Sequence, residues 1–487
     1  MKNRKLILSL LMLAFIWIMS AGVLSAKNSL DENPSSSSEW TIAGPNNVAG
    51  RVRTAIFDRY NYGVVYAGTV AGLYVSVDNG NSWREVALGS GHENITSLVQ
   101  DENGVLYVGT GEGYYNIGFH KQNHLGYSDE QTGRIGSGVY KSNTVATNWA
   151  ESLTSYETKY NWICNSNNFF FTRIEGTEVE NRYDENQSWA YVNAMAYSNG
   201  TVYVATKNAG LFAINTTNNS IKNLELGYSN IYDVAASSNG KVAVSYFDDV
   251  NATEIAIITK GEGDNFTSRI VLTQDTMDSQ VMGRVKLAFG DKNANYLYAY
   301  VATKGYVNGG QYVHGNSYET PTSATTSALS GIALGIWRTK TTDEGNIQWQ
   351  RITPSSFSNG QQHNYAMSIL VKDEDNQETL YVGANSVLTG KDVNGNGIFS
   401  FTGMTSPYMD MSLVGVSGGL MRGYVPANIH CIVPMTNPRS AADSSFLLFA
   451  TDAGVYTYQY DTILKRPLYT PGKGMNNLQT YKVTAAA

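Results

Sequence analysis

One unit of sequence recurs about seven times between residues 51 and 460, and this repetition constrains the fold more than any other feature. The unit is a short β run, a tight turn, a second β run ending in small residues, and a third run that opens on glycine. RVRTAIFD (51–58), VVYAGT (64–69) and GLYVSV (72–77) make the first copy, closed by 83–87. The second is 95–101, VLYVGT (105–110) and GVYKS (138–142); the third is 191–198, TVYVATK (201–207) and GLFAIN (210–215). A weaker fourth runs through 231–236, 241–246 and 254–259. The fifth is GRVKLAFG (283–290), 296–303 and GIWRT (335–339), and the sixth is 365–372, 379–384 and 397–401. The seventh is 429–434, FLLFATD (446–452) and GVYTYQY (454–460).

Each copy predicts three strands and a poorer fourth. The runs are rich in Val, Ile, Tyr and Ala and are bounded by Asn, Gly and Asp. The 47 glycines and 33 tyrosines, against 10 prolines, suit strands and tight turns. Helical periodicity is absent beyond the N-terminal segment. A unit of this size must stack on its neighbours to hide both faces. The expected fold is therefore all-β, a single seven-bladed β-propeller of four-stranded antiparallel blades. Two β-sandwiches are the alternative, but sandwiches do not repeat a glycine-aromatic signature at one fixed place.

Lys2, Arg4 and Lys5 precede an apolar run from Leu6 to Leu24, and Leu24-Ser25-Ala26 offers a small-residue cleavage point. This predicts a secretory signal peptide over 1–26, although the run is also long enough for an uncleaved anchor. Residues 27–39, with NPSSSS at 33–38, read as a flexible lead-in. The propeller is expected over 40–487, in a secreted or cell-surface protein, with the periplasm as the other compartment. No later stretch is long and apolar enough to span a bilayer. A net charge of −7 leaves no basic excess for phosphates, which argues against nucleic acid as a partner. Cys164 and Cys431 are too few for a disulfide framework or a thiolate metal site.

SVDNGNSW (76–83) places Ser76, Asp78, Gly80 and Trp83 at the spacing S-x-D-x-G-x-x-W. This matches the Asp-box of BNR-repeat propellers, which include sialidases, the sortilin ectodomain and xyloglucanases. Ser142 and Trp149 keep the end positions of a second box, with Thr144 and Ala146 inside. Asp343, Gly345 and Trp349 give a third with one extra residue. WTIAGPNNVAGRVRTAIFD (40–58) also resembles the opening of secreted Bacteroidota-type members, and GKGMNNLQTY (472–481) resembles their last blade. The resemblance covers essentially the whole mature chain and implies a propeller. In such a box the Asp can accept backbone N–H groups, the Gly takes a positive φ, and the Trp packs between sheets. Residues from Gln479 onward either close this propeller or begin a second one.

Long insertions mark one face. With strands lettered A to D outward from the axis, A–B and C–D turns share one end of the propeller and B–C and D–A loops the other. Residues 111–137 and 304–334 read as B–C insertions of the second and fifth copies, and 151–188 and 405–426 as D–A insertions. Long loops on a rigid scaffold are where binding resides. The ligand surface is therefore expected at that end, on Glu112, Tyr114, Tyr115, His120, Tyr127, Trp162, Tyr312 and His314. Exposed rings stack on sugar faces or peptide side chains, and His or Glu orients hydroxyls. The same rings could instead form small cores of their own loops.

The enzymes in the resembled group imply residues that this chain lacks. Arg351-Ile352-Thr353-Pro354 departs from the sialidase Arg-Ile-Pro motif and lies late in the chain. The xyloglucanase pattern implies a catalytic Asp after the Ala-x-Thr of the first blade, where this chain has Ala67-Gly68-Thr69-Val70. A glycosidase needs two facing carboxyls, and Glu112 with Asp452 or Asp249 would be the pair. No cofactor is implied. Asp392, Asn394 and Asn396 copy half of a calcium loop, but Gly403 stands where its bidentate Glu belongs, and a hairpin turn explains the segment equally well. The reading is a non-catalytic recognition module for glycan or protein. A glycoside hydrolase and a purely architectural envelope propeller remain as alternatives.

Overall fold

The computed structural model describes residues 50–475 except 90–92, 114–133, 144–147, 166, 182, 185, 247–252, 264, 273–281, 292, 304–311, 315–316, 320–332, 343–346, 361–362, 364, 375, 406–424, 437, 441–442, 444 and 462–465. All of these belong to one compact unit, Asn46–Ala487. Their strands form seven four-stranded sheets and one two-stranded hairpin. The first sheet runs Val52–Phe57, Val65–Thr69, Gly72–Ser76 and Arg84–Val86, each antiparallel to the last. The A strands of the other six are Ile95–Gln100, Val192–Ser198, Ile231–Ala236, Met282–Phe289, Ser368–Glu374 and Cys431–Pro434. Each A strand lies against the A strand of the next blade, and the seventh lies against the first. The molecule is a closed seven-bladed β-propeller.

The reason lies in how each strand is buried. Val65 and Ala67 pack toward the seventh blade, while Tyr66 between them packs toward the second. Alternate residues thus serve two interfaces, which is why the strands read as nearly continuous apolar runs. The core is divided among interfaces of adjacent blades. Tyr66 and Leu73 meet Ile95 and Leu98, and Tyr381 and Val387 meet Ile432 and Phe449. Phe57 and Trp83 meet Leu448 and Val455 across the last seam. Fully burying one such Val, Leu or Phe contributes about 1.5–3 kcal/mol.

The turn 76–83 is held as the residue types suggest. Ser76 Oγ donates to Asp78 Oδ1 over 2.7 Å and accepts from the Gly80 N–H at 2.8 Å. Asp78 Oδ1 accepts from the Ser82 N–H at 2.9 Å. Gly80 sits at φ +86°, and Trp83 Nε1 donates to its carbonyl at 2.9 Å. Trp83 also closes the ring. Its N–H donates to the Lys473 carbonyl at 2.8 Å, and the Lys473 N–H donates to Asn81. A Cβ on Gly472 would stand 2.5 Å from Trp83 Nε1, so only glycine allows this approach. In the fifth blade, Trp349 Nε1 donates to the Val271 carbonyl of the fourth at 3.0 Å. Asp343 and Gly345 lie outside the described residues.

The second blade corrects two expectations. Its fourth strand is Phe171–Arg173, so the insertion before it joins C to D rather than D to A. That insertion carries a helix, Tyr156–Ile163, where none was expected. The segment is too short to show a period, and it buries only Tyr160 and Ile163. Ser155 caps it by accepting from the Thr158 N–H, with the reciprocal bond from the Ser155 N–H to Thr158. Tyr160 OH anchors the helix by donating to the Ser82 carbonyl over 2.6 Å.

Candidate functional site

At the B–C/D–A end a buried ionic network joins four blades. Thr110 ends the second blade's B strand, and Gly111 follows at φ +88°, where a Cβ would meet the Ala190 carbonyl at 2.0 Å. This turn sends Glu112 inward. An isolated bridge with Arg134 closes the base of the insertion behind it. Glu112 is fully buried, with Oε2 2.5 Å from Arg51 Nη2 and Oε1 3.0 Å from Arg53 Nε. Asn94 Nδ2 adds a hydrogen bond at 3.2 Å. Burial pushes the Glu112 carboxyl up, but the Arg53 and Arg51 guanidiniums outweigh it and hold the group below the usual carboxylate range.

The two arginines continue to Asp452. Arg51 Nη1 donates to Tyr365 OH at 3.2 Å, and Tyr365 OH donates to Asp452 Oδ1 at 2.6 Å. Arg53 Nη1 reaches the Tyr365 carbonyl at 3.0 Å and His430 Nδ1 at 2.7 Å. His430 Nε2 is 2.8 Å from Asp452 Oδ1, and Asn428 Nδ2 donates to Oδ2 at 2.7 Å. Asp452 follows Thr451, whose hydroxyl pins the B–C turn by donating to the Gly454 carbonyl. Thr69 holds the same turn in the first blade, and Thr206 holds one a residue longer in the third. The Asp452 side chain is 31% exposed, so the network opens to solvent there. Burial and the neighbouring Arg53 lower His430 to about 4, which leaves it neutral at neutral pH. Burial would raise Asp452, but the bond from His430 dominates together with those from Tyr365 and Asn428, and the carboxyl falls to about 2.

Arg53 and His430 of this network also line a cavity of about 200 Å³. It is lined from all seven A-strand segments, including Arg53, Ser97, Asn193, Asp233, Lys286 and His430. Most of these stand near the starts of their strands, on the side of the D–A loops.

The structure thus brings Glu112 and Asp452 into one network, separated by Arg51, Arg53, Tyr365 and His430. Glu112 is not an exposed ligand contact, because two guanidiniums and 0% exposure enclose it. Trp162 belongs to the C–D insertion, at the opposite end from Glu112, and stacks on Trp149 with ring centroids 4.4 Å apart. Tyr312 and His314 lie on one strand of the two-stranded hairpin Tyr312–His314 and Ser317–Glu319, inserted between the B and C strands of the fifth blade. Tyr114, Tyr115, His120, Tyr127 and Asp249 lie outside the described residues. Asp392 spends Oδ1 and Oδ2 on the N–H groups of Asn396 and Gly397, at 3.2 and 2.8 Å, as a hairpin turn requires. Asn396 Oδ1 accepts from the Ile398 N–H, and Asn394 lies within the same turn. Among the described residues no group of three His, Cys, Asp or Glu could hold a metal. Sequence reasoning missed Arg51, Arg53, Tyr365, His430 and Asn428 as site residues. Their place at or just before A strands, facing the B-strand ends, was the available signal.

The family model described as a two component regulator propeller matches residues 89–112, ending on Glu112. A search of curated proteins gave no match. The extracellular domain of BT4673 from B. thetaiotaomicron is 12% identical with a TM-score of 0.46, covering 85% of this chain and 39% of that one. This chain therefore spans well under half of that protein's length. YCF48 from Cyanidioschyzon merolae is 11% identical with a TM-score of 0.43, covering 84% of this chain and 96% of that chain. The ancestral GH74 enzyme AFV00434 is 9% identical with a TM-score of 0.30, covering 89% and 78%. No helix among the described residues is long and apolar enough to cross a membrane.

Proposed function

We propose that this chain is an extracytoplasmic recognition propeller that binds a glycan or protein at the B–C/D–A end and does not turn it over. One observation carries the non-catalytic reading. Both described candidate carboxyls, Glu112 and Asp452, are enclosed by guanidinium and hydrogen-bond donors that favour the ionised form, which disfavours either as the general acid that glycoside hydrolysis needs. Two arginines enclose Glu112, and three donors occupy Asp452.

The two component regulator propeller match over 89–112 supports a sensing role, in which ligand capture outside the cytoplasm is reported onward. The N-terminal pattern over 1–26 supports export, and the turn 76–83 supports kinship with Asp-box propellers. The B–C insertions supply the proposed contacts, above all Tyr115 and Tyr312, with Tyr114, His120, Tyr127 and His314 beside them.

Glycan and protein arrays probed with the mature chain test this reading. Binding is expected, and Tyr115→Ala or Tyr312→Ala should each cost about 1–3 kcal/mol of it, the range for losing an aromatic anchor. Silence on both arrays would favour the architectural alternative.

A further inference from the structure

We infer that the axial cavity is a binding site for a small organic carboxylate, with Lys286 as its anchoring cation. The inference rests on reading the B–C/D–A end as the ligand-binding end, but its test is separate.

Size sets the first limit. A cavity of roughly 150 Å³ accommodates a benzene ring. The volume here, about 200 Å³, suits a guest slightly larger than that. The lining sets the second. Ser97, Asn193, Asp233, Lys286 and the two arginines Arg53 and Arg284 make it polar, so an apolar guest would strand them.

Charge sets the third. The lining carries three cations, Arg53, Arg284 and Lys286, against one anion, Asp233. Lys286 Nζ and Asp233 Oδ1 are 2.5 Å apart, yet the lysine side chain is 26% exposed and the aspartate only 3%. Asp233 turns its second oxygen to the Leu287 N–H at 2.8 Å. The accessible charge of this pair is therefore the ammonium. Arg53 is committed to Glu112 and His430, and Arg284 donates to the His363 carbonyl at 3.5 Å. A single ammonium that is the more exposed member of its ion pair suits a monoanion better than a polyphosphate. An ammonium–carboxylate hydrogen bond is of the charge-assisted kind and supplies the discrimination against neutral isosteres.

Isothermal titration of the mature chain with acetate, lactate and D-glucuronate tests this, with D-glucose and inorganic phosphate as controls. At least one carboxylate should bind, with glucose weaker than glucuronate by about tenfold or more if glucuronate is the guest. Silence with all three carboxylates, or equal binding of phosphate, would overturn the inference. Lys286→Gln alone would leave Asp233 buried without its partner, so the paired variant Lys286→Gln with Asp233→Asn is the informative one. It should abolish carboxylate binding while the chain remains folded by circular dichroism, and Lys286→Arg should retain it. Unchanged binding in the paired variant would contradict the assignment. Tyr115→Ala, which weakens glycan or protein capture at the face, should leave carboxylate binding in the cavity unchanged. Loss of one property without the other thus tells failure of the cavity assignment from failure of the recognition reading.

Discussion

Arg53 Nη1 lies 2.7 Å from His430 Nδ1, across the seam between the first and seventh blades. A guanidinium can only donate, so Nδ1 accepts and the imidazole proton sits on Nε2. From there it faces Asp452 Oδ1 at 2.8 Å. The contact fixes a neutral tautomer and, through it, one acceptor of a partly exposed carboxylate. Glu112 balances the arginines from behind. The arrangement favours a stable ionised Asp452 over one that exchanges protons.

The first consequence is a pH dependence of stability. His430 is lowered from 6.5 to about 4 and Asp452 from 3.8 to about 2 on folding, and Glu112 moves down as well. In each case the unfolded chain binds the proton more readily, so stability is full above pH 6.5 and falls as pH drops. The histidine contribution is lost between about pH 6.5 and 4, and the Asp452 contribution between about 3.8 and 2. Melting temperatures of wild type and His430→Gln from pH 8 to 4 check this. The wild-type curve should bend downward below pH 6.5, and the variant should lie flatter over that interval.

Glu112→Gln removes the counter-charge of two buried guanidiniums. A loss of about 3–5 kcal/mol is expected from urea unfolding, the range for breaking a buried ion pair from one side. Glu112→Asp should also lose stability, because the shorter side chain cannot keep both contacts.

Ring closure depends on Trp83. Trp83→Ala should cost about 3–5 kcal/mol by opening a cavity between the first and seventh blades. Gly472→Ala should cost roughly 1–3 kcal/mol by driving a methyl group toward the indole. The same substitution at Gly89, where a Cβ meets nothing within 4 Å but φ is +83°, measures by contrast a purely backbone cost. Thermal unfolding of the three variants separates these effects.

Calcium should not stabilise the chain through the Asp392 turn. Both carboxylate oxygens already accept N–H groups of that turn. Differential scanning calorimetry with calcium and with EDTA should give the same midpoint. A calcium-dependent rise abolished by Asp392→Ala would restore the metal reading.

The blades were legible because their inner strands bury two faces and repeat their turn chemistry, as the Thr69, Thr206 and Thr451 hydroxyls show. The second blade was misread at its outer edge. Its strand Phe171–Arg173 has three residues and follows a long insertion, so nothing local distinguishes it from loop. The Ser155–Thr158 cap was a faint helix signal, weaker than a Ser-x-x-Glu pair. The ionic network was legible only in its parts. Arg51, Glu112 and Asp452 stand at strand ends on one face, but Arg53 and His430 are 377 residues apart and meet only when the ring closes.

The central claim is recognition without turnover, and a reducing-end assay tests it most directly. The mature chain would be incubated with a panel of polysaccharides and the products followed beside Asp452→Asn and Glu112→Gln. No new reducing ends should form with any of the three proteins, while ligands found on the arrays remain bound and intact. Steady release of sugar by wild type, abolished in folded Asp452→Asn or Glu112→Gln, would contradict the account and make the hydrolase reading correct.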